Sequence, residues 1–125
     1  MKLSDKSLAR LNGVHHHLQL LMARAADLSQ VDFRITEGVR TRERQQQLFD
    51  AGASQTMNSR HLTGHAVDVA AEVGGKVRWD WPLYHLIAAA VKSASTQLSI
   101  PIVWGGDWKH FKDGPHFELP RDLYP

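Results

Sequence analysis

Asn58-Ser59-Arg60-His61-Leu62-Thr63-Gly64-His65-Ala66-Val67-Asp68-Val69-Ala70-Ala71 is the stretch on which the reading of the fold turns. Two histidines flank a glycine, an aspartate follows, and the run ends in alternating small and β-branched residues. In a strand, that alternation puts Ala66, Asp68 and Ala70 on one face and Val67 and Val69 on the other. The valines can then face a core while Asp68 faces a cleft lined by small residues. Gly64 permits a bend, so His61 and Asp68 can approach one point although seven positions separate them. A helical reading would set His61 and His65 one turn apart. Thr63 and Gly64 are poor helix-interior residues, and Leu62 stands where the helical zinc motif needs glutamate. The extended reading is preferred.

A second polar knot, Asp113-Gly114-Pro115-His116-Phe117-Glu118, lies near the C-terminus. His116 and Glu118 share one face of a short strand, Phe117 and Leu119 the other. Pro115 stiffens the approach to His116. If the two knots meet, His61, Asp68 and His116 form a set of two nitrogens and one carboxylate. Such a set suits Zn2+, which in catalytic sites keeps three protein ligands and one open position. From spacing alone the pattern is loose, and surface or core roles for these residues stand beside the metal reading. His15, His16 and His17 do not join it, because successive helical residues point about 100° apart.

The rest of the chain supplies a frame. Ser4 caps a first helix over 4–11, and Leu18, Leu21, Met22, Ala25 and Leu28 form the apolar stripe of a second over 16–28. Val31 to Thr36 alternates as a half-buried strand. Gly38 ends it, Arg40 sits at the corner, and Thr41 opens a helix that Gly52 closes. Gly74-Gly75 joins a hairpin between 67–71 and 76–79. Pro82 opens a helix to about Leu98, with Leu83, Leu86, Ile87, Ala90, Val91 and Ala94 facing inward. Pro101 to Trp104 and Phe117 to Leu119 read as short strands. The class is α+β: a small, mainly antiparallel sheet packed with helices, in one domain over residues 1–125.

Composition narrows the classes. Fifteen basic and thirteen acidic residues leave a net charge of +2, too weak a skew to indicate nucleic acid. With no cysteine, thiolate zinc sites and cysteine nucleophiles are excluded. The N-terminus lacks the apolar core of a signal peptide, and no apolar run could span a bilayer, so no stable membrane insertion is expected.

Ser59-Arg60-His61-Leu62-Thr63-Gly64-His65-Ala66-Val67-Asp68 resembles the S-x-H-x-x-G-x-A-x-D motif of the VanY-like, LAS-type zinc peptidases. Asp113-Gly114-Pro115-His116 resembles that family's second motif, and Gly38-Val39-Arg40-Thr41 with Gln45 resembles its G-x-R-[ST]…Q segment. The likeness runs from about Val31 to Leu119 and looks closest to phage endolysins of the L-alanyl-D-glutamate peptidase type. It implies the zinc fold of the hedgehog and D,D-peptidase group, with His61, Asp68 and His116 on Zn2+ and Asp113 as general base. Arg40 would hold a substrate carboxylate or the developing oxyanion. Ser59 and Gln45 would also serve the substrate, while His65 falls at a variable position of the motif. The implied partner is bacterial peptidoglycan, cut at L-Ala–D-Glu by a monomer that lyses the host cell. It would wait in the host cytoplasm and reach the wall after membrane permeabilisation. A D,D-carboxypeptidase on the same fold and a non-catalytic, zinc-stabilised wall-binding domain are the alternatives.

Overall fold

The Ser4 hydroxyl accepts from the Ser7 amide and starts helix α1, Asp5–Arg10. Helix α2, His16–Leu28, is capped by the His15 ring, which accepts from the His17 amide. Strand β1 spans Asp32–Glu37 and helix α3 spans Arg42–Asp50, capped by Thr41. Next come a single 3-10 turn, Arg60–Thr63, and the hairpin of β2, Ala66–Val73, with β3, Lys76–Arg78. Helix α4, Trp81–Leu98, carries Pro82 in its first turn. Strands β4, Val103–Trp104, and β5, His116–Glu118, flank a second 3-10 turn at Gly105–Asp107. The computed structural model describes all 125 residues.

The sheet has the order β1-β2-β5-β4, with β3 hairpinned onto the far end of β2, and every pairing is antiparallel. Its α+β class is the one expected. Helix α2 packs on α4, and Leu18, Leu21 and Met22 of α2 with Ile87, Val91 and Ala94 of α4 share one buried core with Phe33, Ile35, Val67, Val69 and Phe117 of the sheet. Burial of each large side chain contributes about 1.5–3 kcal/mol. The inward face of α4 differs from expectation at three positions: Leu86 is exposed, while Tyr84 and Ala88 are buried. The Tyr84 hydroxyl accepts from Ala71 N at 3.0 Å and donates to Arg78 O at 2.8 Å. Those bonds tie the helix start to the hairpin and set its rotation.

Register is what positions the site. Asp68 of β2 lies opposite His116 of β5 on one side and opposite Glu37 of β1 on the other. Three polar side chains on neighbouring strands therefore stand in one row, close enough for cross-strand pairing. The 3-10 turn feeding β2 ends at Gly64, whose φ of +75° only glycine adopts without strain. That turn departs from the extended reading of the segment between His61 and Asp68. It is one short turn, so His61 and His65 still do not share a helical face.

Gly38 is fixed by crowding. A Cβ there would lie 2.1 Å from Arg10 O and 2.9 Å from Val14 Cγ2. Gly38→Ala is expected to cost about 1–3 kcal/mol through forced displacement of α1. Thermal melting checks this; an unchanged midpoint would show that the corner yields freely.

Candidate metal centre

His61, Asp68 and His116 bring one donor atom each within 4.8 Å of one another. The 3-10 turn supplies His61, β2 supplies Asp68, and β5 supplies His116. His61 Nδ1 stands 2.9 Å from Gly38 O, and a carbonyl can only accept, so Nδ1 carries the proton. Its Nε2 is buried and lacks a hydrogen-bond partner. Asp68 Oδ1 is 3.3 Å away but not in hydrogen-bonding geometry. A buried nitrogen left bare within 4.8 Å of two other donors fits a cation.

The opposite side is also ordered. His116 Nε2 lies 2.8 Å from Glu118 Oε1, and Nδ1 lies 3.2 Å from Asp68 Oδ1. Burial disfavours the charged ring, but both hydrogen bonds and both carboxylate charges outweigh it and raise its pKa to about 9. Burial likewise works against the Asp68 carboxylate, yet bonding to His116 and the nearness of His61 hold it well below the usual range. In the metal-free chain, a proton on His116 thus partly balances these acids.

Arg40 is buried behind Asp68. Its Nε and one NH2 grip both oxygens of Glu37 at 2.7 Å, and NH1 donates to Gln45 Oε1 at 2.6 Å. NH2 also reaches Asp68 at 3.5 Å. Of its five N–H groups, one has no acceptor in the protein. Burial opposes the charge, but Glu37 outweighs it and the net pKa shift is upward.

The cleft over this centre has a volume of about 720 Å³ and is lined mostly by polar side chains. Arg40, Ser59, Asp113, Glu118 and Trp108 all border it. Asp113 is presented by a turn in which its carbonyl accepts from His116 N at 3.2 Å and its amide donates to Gly105 O. Burial, then the Asp68 charge, push its carboxyl pKa up, partly offset by His116, His61 and Arg40. Ser59 caps the 3-10 turn by accepting from His61 N at 3.2 Å.

One expectation changes. Gln45, expected to serve substrate, is fully buried and does not border the cleft. Its amide is consumed by Arg40, Ser54 Oγ and Thr56 O, which moors α3 to the cleft-edge loop. Trp104 belongs to the core, where Nε1 donates to Gly114 O at 2.7 Å. His65 turns outward to Thr63 and the His15 ring.

Glu37 and Glu118 escaped the sequence reading as site residues. The only signal for Glu118 was its position two after His116 on a strand. Glu118→Ala is expected to weaken metal affinity about 10- to 100-fold by freeing the His116 ring. A chelator competition titration measures this, and wild-type affinity would remove Glu118 from the centre.

The sequence profile described as phage L-alanyl-D-glutamate peptidase matches residues 1–120. The L-alanyl-D-glutamate peptidase of Escherichia phage T5 is 35% identical over 127 aligned positions, covering 98% of this chain and 90% of that protein. The L-alanyl-D-glutamate peptidase of Listeria phage A118 is 34% identical over 118, but this chain spans only 41% of its length. Among solved structures, the L-Ala D-Glu endopeptidase ChiX of Serratia marcescens superposes with a TM-score of 0.95 at 46% identity. That match covers 100% of this chain and 94% of ChiX.

Proposed function

The chain belongs to the phage L-alanyl-D-glutamate peptidase family, and from that premise we propose that it is a zinc-dependent endopeptidase of bacterial peptidoglycan, cutting the L-Ala–D-Glu bond. The observation that carries the reading is the row of His61, Asp68 and His116 with its bare, buried His61 Nε2. These three residues would hold Zn2+, Gly38 O and Glu118 keeping the two rings turned toward it.

Zinc held there would acidify a water and polarise the scissile carbonyl. Asp113, bordering the cleft, takes the proton of the attacking water and later returns it to the departing D-Glu amine. Arg40 keeps Asp68 in place and sets its fixed positive charge beside the developing oxyanion. Ser59 fixes the His61 backbone. Trp108 walls the cleft.

No helix is long and apolar enough to cross a membrane. In this reading the enzyme reaches the wall from inside a host after membrane permeabilisation. Mass spectrometry of digested walls tests the bond: new free amino groups on D-Glu support this cut. Release of D-Ala instead would support a D,D-carboxypeptidase.

A further inference from the structure

Four cations border the cleft: Arg40, Arg60, Lys112 and Arg121. Arg40 is neutralised by Glu37. Arg60 is not neutralised, although only 6% of it is exposed. Its guanidinium donates to the backbone carbonyls of Leu119 and Tyr124, and its Nε has no partner. The acid that acts on it, Glu118, is already bonded to His116. Arg121 stands near enough to repel it and donates only to Asn58 O, at 2.8 Å. A guanidinium buried without a carboxylate of its own, with a second one lining the same cleft, is an expensive arrangement for a fold to keep. Anchoring the C-terminal carbonyls explains the Arg60 NH2 group, but not the second arginine on the same cleft. Such local violations cluster where a ligand completes the set.

We propose that Arg121, backed by Arg60, forms an anion subsite of the cleft that receives a free carboxylate of the stem peptide. The inference rests on the peptidase reading above. In that substrate the chain continues through the γ-carboxyl of D-Glu, so its α-carboxylate is left free beside the scissile bond. The third residue offers a second carboxylate where the stem ends there. The planar guanidinium fork matches either in bidentate fashion.

Three synthetic peptides separate the sources: L-Ala-γ-D-Glu-L-Lys, the same peptide with the D-Glu α-carboxamide, and the same with the lysine carboxamide. Binding is read by calorimetry on zinc-loaded Asp113→Ala protein, with and without Arg121→Gln, and cleavage is read on the wild type. Amidation of one carboxylate is expected to weaken binding about 10- to 100-fold, the worth of a charged hydrogen bond. Arg121→Gln should weaken binding of the free acid equally and leave the amidated peptide unchanged, while Arg121→Lys recovers part of the loss. Whichever amidation produces the effect names the carboxylate. Equal binding of all three peptides, or an equal loss across all three in Arg121→Gln, overturns the subsite. Failure of the wild type to cleave any of them overturns the reaction instead, because binding reads the subsite independently.

Discussion

Asp113→Ala is expected to keep its zinc and lose about two to four orders of magnitude in turnover, the usual contribution of general acid–base catalysis. Asp113 stands apart from the three donors that cluster within 4.8 Å, so its removal leaves that set intact. It borders the same cleft, in a turn braced by its backbone bonds to His116 and Gly105. Burial and the Asp68 charge raise its pKa, which makes the carboxylate a stronger base than a free aspartate. The sign follows: protonation on the acid side removes the base, and a raised pKa brings that loss closer to neutrality. Metal content and lysis of outer-membrane-permeabilised cells are the paired measurements. Asp113→Asn, of nearly the same shape, controls for folding and should be as inactive. Normal lysis by either variant would sink the mechanism and favour a zinc-stabilised wall-binding domain.

What the sequence disclosed was local. The alternation of Val67, Asp68 and Val69 announced a strand with one polar face, and that face is where the site lies. Gly64 announced a bend, and the bend aims His61 at the strand. Register was hidden, because nothing in β2 states that Asp68 will pair with both Glu37 and His116. Glu37 and Glu118 gain their roles only through that pairing. Gln45 shows the same limit on a helix. It is one of three consecutive glutamines in an α3 without an apolar stripe, and only packing decides which one turns inward. Tyr84 and Trp104 are buried through polar handles whose acceptors are backbone carbonyls in neighbouring turns, six and ten residues away. Such side-chain-to-backbone partners leave no periodic trace.

Asp68→Asn is expected to lower the limiting zinc affinity by about 10²- to 10³-fold. Structural zinc sites bind with roughly 10–16 kcal/mol, so one of three or four ligands carries about 3–4 kcal/mol. Asparagine keeps the shape of the strand face but loses the charge that meets His61, His116 and Arg40. The change should also alter how affinity depends on pH. In the metal-free protein His116 has a pKa of about 9, and its Nδ1 must shed that proton before binding a metal. Wild-type affinity should therefore rise about tenfold per pH unit from neutrality and level off above about pH 9. Asp68 is a principal cause of that raised pKa, so its neutralisation releases the proton more easily and flattens the slope. The variant is thus weakest relative to wild type at high pH, where no proton competes in either protein. Chelator competition from pH 6 to 9.5 measures both effects. A variant with the wild-type ceiling and slope would show that Asp68 neither ligates the ion nor sets the His116 proton, and the centre would have to be built from other donors.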